Sequence, residues 1–333
     1  MGGERDIFHI LRLLDDDSPK VRHHVWGRLE ENLPAWEGDI RALLPELPEA
    51  VRHRLGDLLS GRARRGFRRA WMGWRDLPGD MEKLEAALSG LSWYLAEERA
   101  GRKRAGDGDA PVIRDRRAAS GAGAGLPRHP ALGPLLDGLA EAFRASAAGG
   151  AAGPSALAAY LFVTEGFQGA EGDYYDPGHS DLVQVIERRR GIPISLACVF
   201  MLVGHRLGMP ISGCDVPEHF LTRASEGGRD LIIDCFDKGR ILEGERLAQL
   251  ERKYAPGFAR LLRAPAGPDA MVARVLRNLI NAYHLAGDRH ASQFMFTLAE
   301  DLRGEPGPVL PTEGKPERPE GPYGREADSD GGL

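Results

Sequence analysis

Apolar residues recur at helical intervals through most of the first hundred positions. Ile7, Ile10, Leu11 and Leu14 share one face and Val21, Val25 and Leu29 share the next, so residues 5–33 read as two helices. The break falls at Asp15-Asp16-Asp17-Ser18-Pro19, where Ser18 can cap the second helix and Pro19 fits its first turn. The same spacing predicts helices near 37–45, 47–60, 64–75 and 80–99. Between 101 and 130 there is hardly an apolar side chain to bury, and this stretch is expected to be a disordered linker. Helices resume at 131–145 and 153–166. Residues 195–207, SLACVFMLVGHRL, are apolar around nearly the whole circumference, which predicts a central buried helix with Pro193 in its first turn and Gly208 closing it. The period then shortens to that of strands, at 211–216, around 219–222 and at 231–233, the last ending at Asp234. Pro217-Glu218, Glu226-Gly227-Gly228 and Lys238-Gly239 supply the turns. A final helical unit, VLRNLINAYHLAGDRHASQFMFTLAEDL, precedes a Pro-, Gly- and Glu-rich tail over 304–333 that is expected to be disordered.

Composition narrows the class. The chain has 333 residues, with 44 basic against 49 acidic side chains and a net charge of −5. Phosphate neutralisation normally needs a basic excess, so no nucleic-acid partner is expected. The segment GRARRGFRRAWMGWRDL joins arginines to aromatics, but Phe67, Ala70, Trp71 and Trp74 fall at helical spacing and read as a core stripe bordered by arginine stems. No window is long and apolar enough to span a membrane, and the first residues lack the charged and apolar regions of a leader. Asp6 breaks the myristoylation pattern at Gly2. Three cysteines, Cys198, Cys214 and Cys235, suit reduced thiols and a cytoplasmic location. No membrane, metal or cofactor is called for. Cys214 and His219 lack the second ligand pair that a metal site would need.

Chemistry concentrates between Tyr174 and Arg240. A buried helix followed by strands bearing His219 and Asp234 is the order in which one class of thiol enzymes presents its triad. The motifs DYYDPGHSDLVQVIERRRGIPISLA, VPEHFLTR, LIIDCFDKGRIL and ARVLRNLINAYHLAGD, within residues 155–302, resemble the SirB-type branch of the transglutaminase-like superfamily. That resemblance implies an α+β, papain-like core, with a central buried helix against a small antiparallel sheet and mainly helical flanks. It places the core at 131–265. The helical region 1–100 contains LLDDDSPKVRHHVWGRL, which resembles a HEAT-type helix pair. Residues 266–303, with Leu279, Ala282, Tyr283, Gly287-Asp288 and Ala291, resemble a tetratricopeptide pair.

In active relatives a cysteine opens the central helix. Laid on that pattern without gaps, this chain has Pro193 there, which offers neither a nucleophile nor an amide donor. A two-residue shift offers Ser195, whose other reading is a helix-terminus cap. Cys235 adjoins Asp234, although strand alternation turns it the other way. Cys198 reads as a core thiol. His219 and Asp234 remain as a candidate remnant pair, expected to touch through the hairpin. Asp176-Pro177 reads as a turn anchor, with His179 where the resembling signature has Asn, and Glu187 with Arg188, Arg189 and Arg190 reads equally as a ring at the pocket mouth or as a solvated helix end. The expected function is a non-catalytic protein-interaction or regulatory module with a protein partner. The alternative is an acyl-transfer enzyme, amidase or protease using Ser195 or Cys235 with His219 and Asp234. A third reading is a helical scaffold in which the middle domain is a spacer.

Overall fold

A computed structural model describes residues 3–105, 125–146, 153–217, 219–254 and 257–304. The expected linker lies for the most part outside these residues, and the expected tail lies outside them beyond Gly304. The chain forms two compact units that are interleaved in sequence: residues 1–70 with 93–127, and residues 71–92 with 128–333.

The first unit is helical. α1 (Gly3–Arg12) ends in a single 3-10 turn (Leu13–Asp15), and α2 (Pro19–Leu43) and α3 (Glu49–Trp71) follow. Ile7, Leu11, Leu14, Val25, Leu29, Leu33, Ile40, Val51 and Leu55 form one apolar cluster. Here the expected helices near 37–45 and 64–75 are not separate. α2 continues past Leu29 because Leu33 and Ile40 extend the same buried stripe, and α3 runs through to Trp71, so shared packing outweighs the local breakers. Ser18 occupies the N-cap position of α2, but its side chain makes no cap bond. Its backbone N donates instead to Asp16 Oδ1 at 2.8 Å. In α4 (Asp80–Ala105) the portion from Trp93 onward belongs to this unit. The Trp93 ring stacks on Phe67 with centroids 6.0 Å apart.

The second unit is α+β. A 3-10 turn (Met72–Asp76) and the first half of α4 join α5 (Leu132–Ser146), α6 (Pro154–Ala159), a π-turn (Tyr160–Thr164), a 3-10 turn (Pro177–Ser180), α7 (Leu182–Arg188) and α8 (Pro193–Arg206). β1 (Gln168–Gly169) pairs in parallel with β2 (Arg190–Gly191), a contact with no sequence signal. β3 (Ile211–Val216), β4 (His219–Glu226), β5 (Arg229–Asp234) and β6 (Arg240–Ile241) form an antiparallel meander in that order. The β4–β5 turn is two residues, Gly227 and Gly228, with φ of 57° and 78°, as a hairpin matched to strand twist requires. α9 (Gly244–Tyr254), α10 (Phe258–Arg263), α11 (Pro268–Leu285) and α12 (Arg289–Arg303) complete the unit.

α8 is buried without interruption from Pro193 to Gly204 and packs on β3 and β4. Gly204 permits that approach, since a Cβ there would meet Ile211 Cδ1 at 2.5 Å. Arg206, at the end of α8, ties the unit together with a bidentate pair to Glu85 at 2.8 and 2.9 Å and a third bond to Asp137 at 2.6 Å. α11 and α12 are packed together across Gly287, with Asp288 accepting from Ala291 N at the start of α12. Trp71 Nε1 donates to the Leu298 carbonyl of α12 at 3.1 Å, and Arg75 Nη2 to that of Leu302 at 2.8 Å. These long-range bonds hold residues 71–76 against the C-terminal helix.

Candidate functional site

The start of α8 carries Pro193 and Ser195, the two positions that the sequence resemblance singled out. Ile192 is the N-cap, Pro193 follows in the first turn, and Ser195 sits at the third helical position. Ser195 Oγ accepts from Ile192 N and donates to Ile192 O, both at 3.0 Å. The side chain is 1% exposed. It thus reaches back to satisfy an amide at the helix start, half of a capping box, since isoleucine has no acceptor to return the bond. Gly191 makes room, because a Cβ there would lie 2.6 Å from Ser195 Oγ.

The strands position the other candidates by register. Thr222 pairs with Ile233 and Gly213 with Thr222, so these share a face with Phe220 and Cys235. This is the face on α8: the Gly213 Cβ position lies 3.5 Å from Met201 Sδ, and Cys235 feels Cys198 electrostatically. Cys214, Val216, Leu221 and Ile232 occupy the other face, packed on Phe258 and Leu262 of α10. By the same alternation His219 and Asp234 fall together on that second face, and Cys235 falls on the first. Asp234 Oδ1 accepts from the backbone N of Phe236 and of Asp237, at 3.0 and 3.1 Å, closing the turn after β5. His219 and Asp234 are both 3% exposed.

The thiols are buried. Cys235 is 0% exposed, and its Sγ lies 3.6 Å from Thr222 Oγ1. Burial drives the Cys235 and Cys198 thiols far above the ordinary range, and it raises Cys214 to about 11 against a small opposing pull from Arg223. Cys214 Sγ points at the Leu262 carbonyl, 3.4 Å away.

Sequence reasoning missed Arg274 and read Arg189 only as part of the end of α7. Arg274 of α11 donates to Asp215 Oδ1 and to the Val216 carbonyl, and it lies over the Phe220 ring, 5.8 Å from its centroid. It therefore fixes the end of β3 immediately before the turn to His219. Its signal was its place in ARVLRNL, but its partners lie nearly sixty positions away. Arg189, after α7, adopts a left-handed backbone with φ of 57°. Its guanidinium bonds Glu165 at 2.7 Å and stacks 4.6 Å over Phe167.

Before α7, Tyr174 packs edge-on against Phe236 and Tyr175. Burial raises the Tyr174 phenol, against the pull of Arg274. Asp176 caps the following 3-10 turn by accepting from Gly178 N at 2.8 Å. The turn brings His179 back to Asp173, with Nε2 3.2 Å from Oδ2, while Arg190 bonds Asp173 Oδ1 at 3.0 Å. Desolvation raises the Asp173 carboxyl, but His179, Arg190 and its own backbone together outweigh it, so its pKa lies below the ordinary value.

Residues 133–277 match the transglutaminase-like superfamily profile. The chain is similar to a UPF0162 protein of Xylella fastidiosa (strain Temecula1 / ATCC 700964), 41% identical over 135 residues, covering 39% of this chain and 48% of that protein. A UPF0162 protein of Vibrio cholerae is 37% identical over 79 residues, 23% of this chain and 29% of that one. F-box only protein 21 of Mus musculus is 30% identical over 138 residues, 40% of this chain and 22% of that one. The chain spans about half the length, or less, of these curated relatives. No solved structure matches. The segment 133–277, which holds the buried central helix and the antiparallel meander, is thus similar to the transglutaminase-like superfamily.

Proposed function

We propose that the protein is a non-catalytic member of the SirB-type branch of this superfamily, acting in the cytoplasm as a protein-interaction or regulatory module. One observation carries the reading: Ser195 Oγ is bonded twice to the Ile192 backbone, in a turn whose nucleophile register is held by Pro193. A hydroxyl engaged there is a cap, and attack would require breaking both bonds. Cys235, the remaining alternative, is enclosed between sheet and α8, and burial disfavours its thiolate. Further support comes from the matched stretch forming 48% of one relative and 22% of another, as expected of a module used in differently built chains. The helical flanks, including the tetratricopeptide-like pair α11–α12, are the proposed face for a protein partner.

The test is a panel of fluorophosphonate and chloroacetamide activity probes on the native protein and on His219→Ala. Neither protein should be labelled. Labelling of the wild type that vanishes in His219→Ala would overturn the reading and reinstate an acyl-transfer enzyme.

A further inference from the structure

Asp173, Asp176 and His179 recur every third residue on the turn that leads into α7. One ligand atom from each lies within 4.8 Å of the other two. Acidic clusters of this kind are common on surfaces, but His179 sets this one apart. Its side chain is 3% exposed, and neither ring nitrogen has a hydrogen-bond partner. Nε2 faces Asp173 Oδ2 at 3.2 Å without the alignment of a hydrogen bond. A buried imidazole normally has both nitrogens satisfied. The 3.2 Å between Nε2 and Oδ2 is also the spacing of neighbouring ligands of a cation about 2 Å from each.

We infer that Asp173, Asp176 and His179 bind a divalent first-row transition cation of the zinc class. They would supply two carboxylate oxygens and one imidazole nitrogen, and water would reach the remaining positions because both aspartates are about half exposed. The imidazole selects against calcium and magnesium, which take oxygen ligands. Arg190 holds the second oxygen of Asp173, the usual place of an outer partner that orients a ligand. Arg188 stands 3.6 Å from Asp176 Oδ2, and its side chain is half exposed, so it is free to swing aside. A cation here would pin the loop that carries Tyr174 against Phe236. This site is independent of the question of catalysis.

The full chain, stripped with a chelator, is titrated with Zn2+ by calorimetry and with Co2+ by visible absorption, with Ca2+ and Mg2+ as controls. One equivalent of Zn2+ should bind, weakened about 10-fold or more in Asp173→Asn, Asp176→Asn and His179→Gln. The aspartate variants alter half-exposed side chains and decide the matter if His179→Gln fails to fold. Zn2+ binding that is absent in the wild type, or equally tight in both aspartate variants, would overturn the assignment, as would equal affinity for Ca2+.

Discussion

Ser195 Oγ and the backbone of Ile192 are joined by two hydrogen bonds of 3.0 Å, so this buried hydroxyl belongs to the architecture of the helix start. Ser195→Ala should therefore cost about 1–2 kcal/mol, because it leaves the buried Ile192 amide without an acceptor. Urea denaturation followed by circular dichroism measures this. A variant as stable as the wild type would remove the capping role.

The three thiols should resist alkylation in the native state. Iodoacetamide at pH 8 is expected to leave Cys198, Cys214 and Cys235 unmodified and to label all three in denaturant, since burial disfavours each thiolate. Intact mass before and after treatment reads the outcome. Native modification at Cys235 would contradict its enclosure against α8.

Two non-glycine residues with a left-handed backbone should respond oppositely to glycine. Arg189 has φ of 57° and Lys238 has φ of 53°. Relief of that conformation contributes about 1 kcal/mol at either site. Lys238 is exposed, so Lys238→Gly should stabilise by about 0.5 kcal/mol after the added freedom of the unfolded chain is subtracted. Arg189→Gly forfeits the Glu165 pair, the Ile186 carbonyl bond and the Phe167 stack, together about 2–3 kcal/mol, and should be net destabilising. Paired thermal melts decide it, and a shift of the same sign in both variants would refute this account.

Tyr160 should make stability fall at high pH. Its hydroxyl donates to Glu165 Oε1 at 2.8 Å, and burial first, then Glu165, lifts its pKa to about 12 against the pull of Arg189. An unfolded tyrosine ionises near 10. The stabilisation is therefore complete below pH about 10 and is lost as pH rises through about 12. Between pH 9 and 12 the wild type should lose more stability than Tyr160→Phe. Parallel losses in the two proteins would show that Tyr160 does not titrate as described.

Much of the fold could be read locally. The all-round apolarity of residues 195–204 announced a central helix, and Gly227-Gly228 announced the hairpin. What the sequence concealed were contacts between distant positions. α2 continues through the polar stretch after Leu29 because Leu33 and Ile40 find the same core, which no local propensity reveals. At the site, Pro193 and Ser195 were legible because their roles follow from helix geometry. Arg274 and Arg189 were not, because a guanidinium's partner is set by tertiary proximity. His179 stood out in sequence only as a departure from a signature, and its burial beside two carboxylates is a property of the folded turn.

The bond from Trp71 to the Leu298 carbonyl joins positions 227 residues apart. During vectorial synthesis at about 5–20 residues per second, Trp71 emerges roughly 11 to 45 s before its partner exists. Over that interval a large apolar ring that is finally 0% exposed lacks its partner on α12, although its edge contact with Trp74 can form. The last helix among the described residues thus completes the surroundings of a tryptophan made much earlier, and a nascent chain stalled before α12 would present Trp71 to chaperones.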